Sequence, residues 1–270
     1  MAGSDTLAAS DLATLLRVVR DAALRAGDAI LAVASEGAVE ASSKSDDSPL
    51  TRADLAADAV LLDALRRLDP RGVVISEETP CEPAERPHRF WLVDPLDGTR
   101  EFIAGTGEYT VNVALVEDGV PVLGVVHAPA RAVTYEAVRG GGATRTDARG
   151  TRRIHASAGG PLRVLTTRSH PSPARAAFLA ALPPHRLVEF GSSLKLCLVA
   201  DGSAQLYPRL GPTSWWDTAA GHAVVLEAGG SVTTLDGAPL RYAGSGLLNP
   251  GFVCASVPRD VWAPAARAVR

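Results

Sequence analysis

The sequence predicts an α/β fold of the α+β kind, with helices and an antiparallel sheet over residues 1–157 and a smaller α/β layer over 158–270. Three observations predict it. Apolar residues recur at helical spacing near the N-terminus, the middle of the chain is punctuated like a series of hairpins, and strand-like runs alternate with helix-like runs from about Ala158 onward. With 270 residues, 46% of them hydrophobic, the chain can bury a sizeable core in one large domain or two smaller ones.

A first helix is expected over Asp11 to Ala34, where Leu12, Leu15, Leu16, Val19, Ala23 and Leu24 share one face. The polar stretch ASSKSDDSPLTRAD then leads to a second helix, about Ala53 to Leu68. VVIS, just before Glu77, reads as a short buried strand, and a loop rich in proline and charge, Thr79 to Arg89, precedes the strand FWLV. Pro95 fixes its own φ and biases Asp94 toward extended geometry, so this strand is expected to end at Asp94. The following run, YTVNVALVEDGVPVLGVVHAPARAVTYEAVRGGGATR, is broken at EDGV, APAR and RGGG, as antiparallel hairpins are. The glycine triplet at 140–142 reads as a tight turn, because it lacks the strand-to-helix setting of a phosphate loop. Beyond Ala158, LRVLTTRSH and LVEFGSS read as strands, SPARAAFLAALP and LKLCLVADGSA as helices. SWWDTAAGHAVVLEAGG is a further helix, closed by Gly229 and Gly230. No internal repeat or low-complexity linker separates the halves, which are expected to share a cleft.

Charge narrows the function. The net charge is −3, without the basic footprint of a nucleic-acid binder, so an anionic substrate would have to be attracted by metal ions. Cys81, Cys197 and Cys254 are odd in number and far apart, which argues against a disulfide framework and suits a reducing cytosol. The N-terminal stretch lacks a long apolar run and a basic start, so neither a signal peptide nor an integral membrane segment is expected. Cytoplasmic residence follows, with peripheral association at the inner membrane left open.

The chemistry concentrates in acidic residues. In FWLVDPLDGTREF, Asp94 and Asp97 stand three residues apart at the end of an apolar run. Like charges that close are unfavourable unless a proton or a cation lies between them. Asp97-Gly98-Thr99 reads as a helix start with Asp97 near the N-cap, where free N–H groups suit a phosphate. ISEE places Glu77 and Glu78 directly after a strand, and SWWDTAAGHA places Asp217 at a helix start. Singly, each has an ordinary reading: an Asx-type turn, an exposed acidic pair, an N-cap aspartate. Jointly they read as a carboxylate cage for two or more Mg²⁺ ions, whose hard oxygen preference suits carboxylates and the Leu96 carbonyl. Trp215 and Trp216 read as core anchors for the helix of Asp217, and His127 and His222 as packed histidines.

WLVDPLDGT, SEE and WDTAAGHAVVLEAGG resemble the signatures of the inositol monophosphatase superfamily of Mg²⁺-dependent, lithium-sensitive phosphatases. KSDDSPLTRAD, DPLDGTREFIAGTGEYTVNVALVEDGVPVLGVVHAP and GSSLKLCLVADGSAQLYPRLGP are similar to its CysQ branch, the 3′(2′),5′-bisphosphate nucleotidases. The similar segments run from about Ala26 to Phe252. The resemblance implies a layered αβαβα sandwich, like that of inositol monophosphatase and fructose-1,6-bisphosphatase. It also implies hydrolysis of the 3′-phosphate of adenosine 3′,5′-bisphosphate to AMP, and extends to 3′-phosphoadenylyl sulfate. The role would be to clear the by-product of sulfate activation and sulfonyl transfer.

By the same resemblance, one Mg²⁺ would be held by Glu77, Asp94 and the Leu96 carbonyl, and a second by Asp94, Asp97 and Asp217. A third ion sharing Glu77 is compatible with the pattern but is not inferred from sequence. Asp54 would accept a hydrogen bond from Thr99, and the pair would orient and partly deprotonate the attacking water with Glu77 assisting. The scissile phosphate would lie over Gly98, Thr99 and Arg100, where Arg100 puts a planar fork in place of the lysine frequent in the pattern. Ser192, Ser193 and Lys195 of GSSLK, with Arg209 of LYPRL, are candidates for the 5′-phosphate, and His170 for stacking on adenine. Under this assignment residues 1–157 carry most metal ligands, whereas 158–270 carry the nucleotide-side pocket and Asp217. Two alternatives stay open: an inositol or sugar-phosphate phosphatase, which needs no second phosphate pocket, and a non-catalytic metal or phosphate sensor. Oligomeric state is not legible.

Overall fold

A computed structural model describes residues 7–37, 41–43, 49–80, 87–167 and 172–269 of the protein. Its first helix, α1 (Ala9–Ser35), buries Leu12, Val19, Ala23, Ala26 and Ile30 at the expected helical spacing. Leu24, expected on that face, is instead 38% exposed, because the stripe continues through Ala22 and Ala26 and leaves Leu24 on its flank. The short strands β1 (Ala41–Ser43) and β2 (Pro49–Thr51) pair antiparallel. They lead into α2 (Arg52–Leu68), capped by Thr51 in a capping box with Asp54.

Seven strands form the larger sheet in the order β3-β4-β5-β6-β7-β8-β9. They are β3 (Val73–Ser76), β4 (Arg89–Asp97), β5 (Thr110–Glu117), β6 (Val120–Ala128), β7 (Val133–Val138), β8 (Gly142–Asp147) and β9 (Gly150–Ile154). From β4 onward every neighbour is antiparallel, as the hairpin punctuation predicts, while β3 and β4 run parallel. A one-turn helix, α3 (Thr99–Ile103), follows β4. The strand does not end at Asp94: its register breaks there, and pairing resumes at Asp97, opposite Thr110. Pro95, which cannot donate to a ladder, sits inside that bulge.

The smaller sheet has the order β11-β10-β12-β16-β14. Its strands are β10 (Arg163–Thr166), β11 (Arg186–Glu189), β12 (Leu206–Arg209), β14 (Ser231–Thr234) and β16 (Phe252–Ala255); β13 (Thr213–Ser214) and β15 (Leu248–Asn249) pair separately. Four more helices complete the fold: α4 (Pro173–Ala180), α5 (Leu194–Ala200), α6 (Trp216–Glu227) and α7 (Arg259–Arg267). Helices α1 and α2 cover one face of the larger sheet, α5 and α6 lie between the two sheets, and α4 and α7 cover the far face of the smaller one. This is the five-layered αβαβα sandwich that the family resemblance implies. One core cluster runs between the two sheets, from Phe90 and Val126 through Leu196 and Val224 to Cys254. No helix among the described residues is long and apolar enough to cross a membrane.

Helix α6 is buried on nearly every side, from Thr218 to Val225. Its approach to β6 is close enough to require glycine: a Cβ on Gly124 would come within 2.3 Å of the Ala220 carbonyl oxygen. Backbone on both sides leaves little room to relax. Gly124→Ala should therefore lower unfolding stability by ~1–3 kcal/mol in a denaturant titration. Gly211→Ala, with no atom within 4 Å of the added Cβ, should change it little.

Candidate metal and phosphate site

Parallel pairing of β3 with β4 brings their C-terminal ends together, with Ser76 opposite Val93 and the Glu77 N–H donating to the Val93 carbonyl at 3.1 Å. Glu77 and Asp94 thus emerge side by side from the sheet. Asp217 reaches them from the first turn of α6, fixed by the Ser214 N–H, which donates to its Oδ2 at 2.9 Å. Carboxylate oxygens of Glu77, Asp94 and Asp217 lie within 4.8 Å of one another. Asp94 is 1% exposed; its Oδ1 accepts from the Leu96 N–H at 3.1 Å, and its Oδ2 has no hydrogen-bond partner. An unpartnered oxygen on a buried acid calls for a proton or a cation. Burial, then the charges of Glu77, Asp97 and Asp217, push the Asp94 carboxyl well above the usual range. Asp217 is pushed the same way by burial, then by Asp97 and Glu77. An all-oxygen donor set of this kind suits Mg²⁺.

Asp97 stands apart from that triple. Its Oδ2 accepts a short hydrogen bond from the Ser193 N–H, although its charge acts on both Asp94 and Asp217. Burial raises its pKa to about 6, against the lowering effects of Lys195 and the Ser193 bond. The acids that converge within 4.8 Å are thus Glu77, Asp94 and Asp217, while Asp97, expected to share a metal with Asp94 and Asp217, lies beside them with one oxygen held by Ser193. Asp97 stands immediately before the helix cap. Gly98 takes that position at φ +93°, and α3 is only five residues long. Left-handed backbone there favours glycine.

Thr99 and Asp54 meet across 45 residues of sequence: the Thr99 hydroxyl lies 3.2 Å from Asp54 Oδ1 and 3.3 Å from the Leu96 carbonyl oxygen. Asp54 is 1% exposed, and its Oδ2 accepts from Thr51 N at 2.8 Å and Thr51 Oγ1 at 2.6 Å. One turn along, Asp58 accepts from Ser76 Oγ at 2.5 Å and ties α2 to the end of β3. Arg100, on α3, is exposed.

The GSSLK turn is less open than the sequence suggests. Ser192 adopts φ +48°, and the Ser193 hydroxyl lies 2.8 Å from Asn112 Oδ1 and 2.8 Å from Thr110 Oγ1. Lys195 is buried: its Nζ donates to the Ser192 carbonyl at 2.6 Å and the Phe190 carbonyl at 3.2 Å, over the Tyr207 ring. Burial lowers its pKa to about 8, against the raising influence of Asp97. Backbone carbonyls thus take the hydrogen bonds of Lys195, a candidate for the 5′-phosphate.

Arg209 lies near these groups, and its charge acts on both Asp217 and Lys195. It lines a cavity of about 310 Å³ with Thr166, Tyr207 and a second guanidinium, Arg175. Arg175, in the first turns of α4, donates to the Thr167 carbonyl at 2.9 Å. Sequence reasoning missed it: an arginine in an amphipathic helix carries no local signal of a cavity. His170 lies outside the described residues. His222 and His127 are packed, as expected, against Tyr242 and Thr134 at 3.1 and 3.0 Å.

Comparison with known proteins places these features in context. Residues 11–269 match the inositol monophosphatase family. The 3′(2′),5′-bisphosphate nucleotidase CysQ of Salmonella typhimurium is 49% identical over 243 residues, covering 88% of this chain and 98% of that protein. The crystal structure of CysQ from Bacteroides thetaiotaomicron superimposes with a TM-score of 0.79 at 37% identity, covering 91% of this chain and 98% of the other. An inositol monophosphatase from Anabaena superimposes with a TM-score of 0.77 at 27% identity, covering 96% of each chain.

Raised carboxyl pKa values fix the sign of a pH effect. In the metal-free protein these acids keep protons that the unfolded chain has lost, so their stabilising contribution is present at low pH and fades as pH rises through their raised pKa values, about 6 for Asp97. Mg²⁺ held by these acids would take the place of those protons. The rise in thermal midpoint on replacing EDTA by Mg²⁺ should therefore be larger near about pH 7.5 than near about pH 5. An equal rise at both would contradict the carboxylate cage.

Proposed function

The chain belongs to the inositol monophosphatase family, and from that premise we propose that it is a Mg²⁺-dependent 3′(2′),5′-bisphosphate nucleotidase. It removes the 3′-phosphate of adenosine 3′,5′-bisphosphate, giving AMP and phosphate. The observation that carries the reaction is the convergence of Glu77 and Asp217 on the buried Asp94, one of whose oxygens no protein donor satisfies. What favours the nucleotide over an inositol phosphate is the cavity near Asp217, where Arg175 and Arg209 supply a second cationic locus. The same fit extends to 3′-phosphoadenylyl sulfate, and the role is the clearance of nucleotide by-product in sulfur assimilation.

Glu77, Asp94 and Asp217, with Asp97 beside them, would hold two Mg²⁺ ions, Glu77 being the side chain able to share a third. Bound Mg²⁺ supplies the positive charge that the phosphoryl and leaving oxygens require. The chain's own residues do the positioning. Asp54, held on one oxygen by Thr51, presents the other to the Thr99 hydroxyl, so Thr99 can take a proton from the attacking water as Asp54 accepts its own. Water oxygen bonds to phosphorus, the P–O3′ bond breaks, and O3′ takes a proton from solvent, to which Asp54 returns the one it accepted. Gly98, free of a side chain, lets the phosphate approach the backbone. Arg209 and Arg175 bind the 5′-phosphate side, Lys195 shaping the Ser192–Ser193 turn from beneath.

Net charge repels this substrate, so local cations must outweigh the −3 of the whole chain. The free, buried thiols of Cys197 and Cys254 suit a cytoplasmic setting.

Phosphate release should be measured in parallel from adenosine 3′,5′-bisphosphate and inositol 1-phosphate, with and without EDTA. The nucleotide should be preferred and both activities lost on chelation. Preference for the inositol phosphate would overturn the substrate assignment and spare the cage. No release from either would favour the sensor. In the same assay, Asp54→Asn should lower kcat by ~10²-fold or more.

A further inference from the structure

Glu108 is an acid that the chemistry above does not use, yet it is only 5% exposed. It stands just before β5, at the end of the loop leaving α3. Its Oε2 accepts from the Gly191 N–H at 2.8 Å, and its Oε1 from Arg131 Nη2 at 3.2 Å. Arg131 is itself anchored: its Nε donates to the Gly107 carbonyl at 3.0 Å, and its guanidinium lies 4.8 Å from the centre of the Phe190 ring. A buried carboxylate thus bonds the residue that opens the Gly191–Ser192–Ser193 turn, while an arginine grips the residue before it.

The backbone is equally close. A Cβ on Gly191 would come within 2.9 Å of the Glu108 carbonyl oxygen, and one on Gly98 within 3.1 Å of the same atom. Glu108 therefore lies between the phosphate loop, Asp97-Gly98-Thr99, and the turn that leads to Lys195. Downstream on the same strand, Thr110 and Asn112 hold Ser193, whose N–H reaches Asp97. Ser192 sits in left-handed backbone at φ +48°, a conformation that persists where neighbours over-determine it.

We propose that Glu108, with Arg131, is a positioning residue that fixes the 191–193 turn against the phosphate loop and so sets the spacing between the two phosphate subsites. It touches neither substrate nor metal, and acts through the Gly191 N–H. The inference rests on the bisphosphate reading given above. A monophosphate, which uses one subsite, does not sense that spacing.

The test uses the full-length protein with Mg²⁺, and adenosine 3′,5′-bisphosphate beside adenosine 3′-monophosphate. Glu108→Ala should raise KM for the bisphosphate by about tenfold, keep kcat within about threefold, and narrow the kcat/KM advantage over the monophosphate. Glu108→Gln, which keeps an acceptor for Gly191, should recover part of it. Arg131→Met removes only the guanidinium and should move KM the same way by less; it carries the test if the alanine variant does not fold. Folded variants with unchanged KM, or equal losses on both substrates, would overturn the inference. A wild-type enzyme without preference for the bisphosphate would show, before any variant is assayed, that the substrate reading had failed and this inference with it.

Discussion

Three carboxylates within 4.8 Å of one another, one of them almost wholly buried, are the constraint to which the rest of the architecture answers. Without a counter-charge, such an arrangement opposes folding, since burial and mutual repulsion both disfavour the ionised state. The chain therefore needs several elements to hold it. Parallel β3 and β4 set Glu77 beside Asp94 at one level, the bulge at Pro95 interrupts the β4 ladder between Asp94 and Asp97, and α6 brings in Asp217 from the next layer. Each acid has a backbone or side-chain contact that fixes it before a cation arrives. The binding energy of the cation is then spent on neutralising charge and little of it on ordering side chains.

That arrangement depends on α6 being in one place. The helix lies between both sheets and buries aliphatic and small residues all round, so its register is set by close packing on two faces. Gly124 on β6 admits the Ala220 carbonyl, and Gly221 admits Leu196 of α5. At its C-terminus, Glu227 accepts from the N–H groups of Gly140 and Gly142 and pins the β7–β8 hairpin. At its N-terminus, Trp215 donates to the Leu248 carbonyl, and Asn249 donates to Thr218 and to the Ser214 carbonyl. Polar bonds fix the two ends where apolar packing alone would let the helix slide.

The sequence made the acids legible and left their partners obscure, for a physical reason. Asp94, Asp97, Glu77 and Asp217 each stand at the boundary between an apolar run and a turn, and local spacing shows such boundaries. The long helix α1 and the hairpins from β5 onward were legible in the same way, through period and punctuation. Contacts between distant segments leave no such trace. The Thr99–Asp54 bond was expected from family resemblance alone, since locally Asp54 reads as a surface acid on a helix. Ser193 on Asp97, Glu108 on Gly191 and Arg175 beside Arg209 were not expected at all. The last elements of the smaller sheet, β12, β14 and β16, are four residues each, too short for alternation to register, and Pro264 inside α7 disguises a helix.

Lys195 shows how a correct motif can mislead about mechanism. A lysine in GSSLK suggests a solvated ammonium waiting for a phosphate. Buried under the turn, its ammonium instead satisfies two carbonyl oxygens that the sharp backbone at Ser192 leaves without partners, and it stands close enough to Asp97 to favour that acid's charged form. A charge placed this way acts at short range through a low dielectric, where it is screened less than any surface cation. The cation thus stabilises the turn and biases the metal side of the cleft together. Under the proposed function, discrimination between one phosphate and two would rest on whether Arg175 and Arg209, lining the cavity, keep a fixed distance from Asp94 and Asp217. In a fold of two sheets, that distance is only as well defined as the contacts that cross between them.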